Sequence, residues 1–147
     1  MHAHNAGMPV PATTFWQRCV RSAQALLFPR YWIAVMADEG LRGVINSEGR
    51  EVTADGRTRR VSAGDRQLAT FDAVQSIDVV HHPRDADNGK PEHWSVSLYL
   101  GRSMRAYVGR SRKHAEAVKA AALLARISGK TVRSLEAANH PSVIHSR

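Results

Sequence analysis

The chain has almost no cysteine: Cys19 is the only one among 147 residues. A lone thiol cannot close an intramolecular disulfide, so a disulfide-framed secreted scaffold is excluded. No long apolar run is present either. The most apolar stretch, ALLFPRYWIAVMA over 25–37, is interrupted by Pro29 and Arg30. It falls short of the roughly 20 apolar residues that a helical membrane span requires. Residues 1–12 lack a charged segment followed by an apolar one, so no secretory signal is expected. These absences favour a cytoplasmic protein that is either free or peripheral at the inner face of a membrane.

Catalytic and cofactor signatures are missing as well. The sequence holds no G-x-S-x-G, no Walker A, no H-E-x-x-H and no C-x-x-C. An enzyme is not expected, and no cofactor is implied. Asp72 and Asp78 are read as a strand-start cap and a solvent-facing residue rather than as paired carboxylates. His2 and His4 lie in a polar N-terminal stretch and carry no metal argument. His81 and His82 are adjacent, so on a strand they face opposite sides. Only one of them, together with His93 across a sheet, could share an ion.

Charge of one sign is abundant, and its placement is uneven. The net charge is +8. Residues 101–133 carry Arg102, Arg105, Arg110, Arg112, Lys113, Lys119, Arg126, Lys130 and Arg133 against Glu116 alone, while the rest of the chain balances. A concentration of this kind points to an anionic partner.

The pattern of elements begins with a tail over 1–12. An amphipathic helix is expected over 13–28, with Trp16, Val20, Ala23 and Leu27 on one face and Pro29 ending it. Strand patterns follow: YWIAVMA (31–37), LRGVIN (41–46) and REVTADGRTRRVSA (50–63). In the last, Asp55-Gly56 has the composition of a two-residue hairpin turn. QLATF (67–71), VQSIDVVHH (74–82) and HWSVSLYL (93–100) continue the series. In the last of these, Trp94, Val96, Leu98 and Leu100 face one way and Ser95, Ser97 and Tyr99 the other. Gly101-Arg102-Ser103 turns the chain into MRAYV (104–108), placing Tyr99 and Tyr107 as cross-strand neighbours. An alanine-rich helix is expected over 111–129, capped by Ser111 and Gly129, with Val118, Ala121, Ala122 and Ala125 inward. From Thr131 onward no pattern is evident.

The expected fold is therefore α+β. It is an antiparallel bent sheet or partly open barrel capped by a C-terminal helix, with an N-terminal amphipathic helix. The order and patterning of RTRR, FDAVQSIDVV and WSVSLYLGRSMRAYVGRSRKHAEAVKAAALLARISGKTV resemble the pleckstrin-homology-like domain of uncharacterised bacterial proteins. The resemblance spans about residues 57–133. With the tail (1–12), the helix (13–30) and the loose end (134–147) read from the residues themselves, the resemblance implies a PH-like domain over 31–133. It also implies a binding module rather than an enzyme. Phosphoinositide recognition is not implied, because the basic residues Arg57, Arg59 and Arg60 do not align with that motif.

Arginine collects where a helix N-terminus repels cations. If the hairpin folds beside the helix, Arg102, Arg105, Arg110, Arg112 and Lys113 converge on an anion site. Such a patch would dock an acidic protein partner or an anionic lipid surface. The other reading is a nucleic-acid-binding protein that tracks phosphates with the basic stretch over 102–133 and stacks bases on Tyr99, Tyr107 or Trp94. A third has the N-terminal helix assembling a homo-oligomer.

Overall fold

The computed structural model describes residues 30–137. The helix expected over 13–28, with Cys19, lies outside the described residues. Nine strands and one α-helix follow in chain order: β1 (Ile33–Asp38), β2 (Arg42–Ser47), β3 (Arg50–Asp55), β4 (Arg60–Ala63), β5 (Arg66–Thr70), β6 (Ser76–His82), β7 (His93–Gly101), β8 (Met104–Ser111), α1 (His114–Ser128) and β9 (Val132–Glu136). A single 3-10 turn, Phe71–Ala73, leads into β6.

Two sheets result. The first is an antiparallel meander in the order β1-β2-β3-β4-β5, and the second has the order β8-β7-β6-β9. In the second, β6, β7 and β8 are antiparallel, whereas β9 runs parallel to β6. Among the described residues no strand pair joins the two sheets, so the α+β class holds and the barrel is not closed. Instead α1 packs on β1, β2 and β3 of one sheet and on β6, β7 and β8 of the other. Among the described residues no helix is long and apolar enough to cross a membrane.

Alternation selects what goes inside. Val52 and Ala54 of β3, Ile77 and Val79 of β6, and Val96 and Leu98 of β7 are all buried in one cluster with α1. The helix itself departs from expectation in start and in face. Ser111 ends β8 instead of capping the helix; its Oγ accepts the Lys113 N–H at 3.0 Å and donates to Glu116 Oε1 at 3.0 Å. The inward face is Ala117, Ala120, Ala121, Leu124 and Ser128, while Val118 and Ala122 are exposed. An alanine-rich helix offers several nearly equivalent faces, and burying Leu123 and Leu124 decides between them. Gly129 ends it in the left-handed conformation, as expected.

Two turns differ from their sequence reading. Asp55 pairs with Arg60, so the β3–β4 loop has four residues rather than two. The Asp55 carboxylate accepts the Arg57 N–H at 2.8 Å, closing a local turn. Gly56 serves a close approach rather than a positive φ. Its N–H donates to Leu41 O at 2.7 Å, and a Cβ there would lie 3.1 Å from that oxygen. A two-residue turn that takes positive φ at both positions without a glycine is Arg102-Ser103, at φ 53° and 64°. Both residues carry a Cβ, which is unfavourable in that region. Ser103→Gly should therefore raise stability by about 1 kcal/mol, read as a higher urea midpoint at unchanged slope.

β9 was not legible as a strand. Residues 134–136, expected to be loose, are in fact hydrogen-bonded along β6, with Ala137 N–H donating to His81 O at 2.8 Å.

Candidate functional site

β8 is an extended strand, and the five cations expected to converge are spread along it. Arg102 is in the turn before it and Arg105 near its start. Arg110 is near its end, and Arg112 and Lys113 lie beyond that end, where α1 begins. Seven residues separate Arg105 from Arg112, which is about 23 Å at 3.3 Å per residue. A single concavity holding all five does not form. The reason is that the helix starts at the end of β8 opposite to the β7–β8 turn. Arg110 is also engaged: its Nε donates to Glu48 Oε1 at 3.3 Å, and its Cζ lies 4.4 Å from the Tyr31 ring centroid. Tyr107 OH points to the same carboxylate, 3.4 Å from Oε2.

Arg105 instead joins a partner that sequence reasoning passed over. In β6 the even positions Ser76 and Asp78 lie on the face turned away from the core, beside Ser97 and Tyr99 of β7. Asp78 was expected to face water, yet it is completely buried. Three side chains hydrogen-bond to it. Arg133, opposite it on β9, donates from Nε to Oδ1 at 2.9 Å and from its terminal nitrogen to Oδ2 at 2.7 Å. Arg105 reaches across β7 and donates to Oδ2 at 3.0 Å. Ser76 Oγ donates to Oδ1 at 2.8 Å. Both guanidinium groups also lie against Tyr99, at 5.1 Å for Arg105 and 4.7 Å for Arg133 from the ring centroid. Tyr99 thus faces Arg105 in register, and Tyr107 is displaced to face Ser97.

Electrostatics follow from this geometry. Burial acts to raise the Asp78 pKa, but hydrogen bonds from Arg133, Ser76 and Arg105 outweigh it and hold the carboxyl below its ordinary value. One carboxylate therefore fixes two cations, leaving a local excess of positive charge. A guanidinium has five N–H donors. Arg105 gives one to Asp78 and Arg133 gives two, and their side chains are 38% and 43% exposed. The remaining donors are available to a second oxyanion. Arg102, in the adjacent turn, and Lys130, just before β9, lie at the same end of this sheet and form no ion pair among the described residues.

The histidines occupy the opposite end. His81 and His82 do face opposite sides. His81 lies between two carboxylates, with Nε2–H on Glu92 at 2.7 Å and Nδ1–H on Glu136 at 2.9 Å, and it stacks on Trp94. The hydrogen bond to Glu136, then that to Glu92, raises its pKa. A raised folded-state pKa stabilises fully below the ordinary value of 6.5, and that contribution is lost as pH rises through the folded value. Melting curves should show Glu136→Gln costing more at pH about 6 than at pH about 8.5. His82 stacks on His93 with rings 4.4 Å apart and bonds to Ser95. Burial pushes its pKa down. No group of three or more metal-ligating side chains occurs among the described residues.

Asp72 is exposed in the 3-10 turn and pairs with Arg59 at 3.1 Å, while Thr70 supplies the cap. Comparison with family models, curated proteins and solved structures finds no match to this chain.

Proposed function

We propose that this domain is a non-catalytic binding module that docks an acidic protein partner through the outer face of its second sheet. Arg105 and Arg133 make the contact, and Arg102 and Lys130 stand at the rim. The observation that carries this reading is the pair of guanidinium groups held on one buried carboxylate and one tyrosine ring, with most of their donors unused. Their positions are fixed before any ligand arrives, so little side-chain entropy is lost on binding. Arginine forks suit carboxylate oxygens. A membrane surface would need many cations in one plane, and here the unpaired ones are divided between the two ends of β8. The series of strands before one helix is the element order on which the proposed resemblance to PH-like domains rests, and β9 follows it. A cytoplasmic partner suits a chain with one cysteine.

The test is a titration of the labelled chain, followed through the arginine Nε and backbone amide resonances. A glutamate-rich peptide, phosphatidylserine vesicles and a single-stranded oligonucleotide are compared at low and high salt. The peptide should shift Arg105 and Arg133 and leave Arg112 unmoved. Arg105→Gln should weaken it about tenfold to a hundredfold, since charged contacts of this kind contribute about 1.5–3 kcal/mol. The variant keeps its fold because Asp78 retains Ser76 and both Arg133 bonds. Stronger binding by vesicles or oligonucleotide, or peptide shifts centred on Arg112 and Lys113, would overturn the reading.

A further inference from the structure

β9 is the last strand of its sheet, and its outward edge pairs with no strand among the described residues. The bonding direction of each residue can be read from its ends. Thr131 O accepts from Ile77 N–H, and Ala137 N–H donates to His81 O. In a parallel pair, alternate residues turn both backbone groups to the same side. Arg133 and Leu135 therefore bond to β6, and the N–H and C=O groups of Val132, Ser134 and Glu136 face outward. The strand is open to solvent along most of its length, with Val132 39% exposed.

The other edges are less available. On β8, the Val108 carbonyl already accepts from Ser47 and Arg50. β1 is interrupted by a bulge between Val35 and Ala37 and packs on α1. On β5, the cation beside the strand end, Arg59, pairs with Asp72, and both side chains are exposed, so no buried carboxylate fixes a cation there. Among the described residues, only at β9 does an unpaired ladder run next to the arginine pair.

We propose that the partner is an extended acidic segment that adds to the second sheet as a new strand along β9. This inference rests on the binding reading above and specifies its geometry. Backbone groups of the incoming strand pair with Val132, Ser134 and Glu136. A strand seated there lies about 4.8 Å from β9. Its residue beside Arg133, on the outer face, is a glutamate or aspartate. Arg133 then stands between two carboxylates, Asp78 on β6 and the partner's on the added strand. Asp78 uses the Nε and one terminal nitrogen of Arg133; the other terminal nitrogen is left for the newcomer. Main-chain pairing supplies affinity, and the arginine pair selects an acid at one position.

The experiment uses the full chain and a blocked heptapeptide of alternating valine and glutamate. A second peptide has the same sequence with alternate backbone nitrogens methylated. A third has glutamine for glutamate. The expected result is hydrogen-exchange protection at the Val132, Ser134 and Glu136 amides with the first peptide. The methylated and glutamine peptides should each bind about tenfold more weakly or worse. Equal binding of methylated and unmethylated peptides would overturn strand addition and leave the arginine reading standing. Protection at β9 with no preference for glutamate would overturn the arginine reading. Absence of any response from Arg105, Arg133 or β9 to the acidic peptide would overturn both.

Discussion

Asp78→Ala should cost about 3–5 kcal/mol, which for a domain of this size removes a large part of its stability. The effect comes from what the carboxylate leaves behind rather than from lost contact area. Arg105 and Arg133 are held near one another by a single anion. Without it, two like charges share one partly desolvated site, and Ser76 loses its acceptor. Asp78→Asn should be nearly as harmful, because the amide can accept at one atom only and presents N–H groups to guanidinium. Two further measurements separate this cause from simple truncation. Acid titration should lower stability as pH falls through the depressed folded-state pKa, because a carboxylate with lowered pKa stabilises above its unfolded value of about 3.8 and loses that contribution below. In Asp78→Ala this limb of the pH curve should flatten. Joint replacement of Asp78, Arg105 and Arg133 by apolar residues should recover much of the loss and abolish acidic-peptide binding. If Asp78→Ala alone melts like the wild type, the buried carboxylate does not organise this face.

The strand series and the last helix were legible because their signals are local. HWSVSLYL alternates cleanly and becomes β7; Gly129 ends a run of strong helix formers. The positive excess over 101–133 was also real, but charge counts carry no direction. The arginines near the helix start looked adjacent to the turn arginines only because β8 is short in sequence, whereas an extended strand is long in space. Arg133 escaped notice for a different reason. Its partner is 55 residues away and meets it only because α1 returns the chain to the far edge of the sheet, parallel to β6. No periodicity in TVRSLE announces that pairing. Asp78 did leave a trace, an acid inside the apolar run SIDVV. Alternation assigned it to water, since the pattern cannot show that arginines from β8 and β9 will reach it.

Gly109→Ala should destabilise the domain by about 2–4 kcal/mol, beyond the usual cost of one added methyl in a core. Gly109 lies where the two sheets meet. A Cβ there would be 2.2 Å from Ser47 Oγ, 3.1 Å from Ser47 Cβ and 3.2 Å from Ile33 Cδ1. Ser47 is fully buried, and its hydroxyl donates to Val108 O at 2.6 Å. It cannot rotate away without breaking that bond and leaving a buried carbonyl dependent on Arg50 alone, at 3.1 Å. The β8 bulge at Val108, between the Val96 and Ser97 pairings, fixes the backbone on the other side. Relief by small shifts is therefore blocked from both directions. Ser47→Ala in the same chain removes the oxygen and leaves the 3.1 Å carbon contact, so the double variant should regain about 1 kcal/mol relative to Gly109→Ala. Arg105 is four residues away along β8, about 13 Å. Any Gly109 variant that still folds should thus keep the response of Arg105 and Arg133 to an acidic peptide. A loss of that response at unchanged stability would mean that the junction between the sheets, and not Asp78 with Tyr99, holds the two arginines in place.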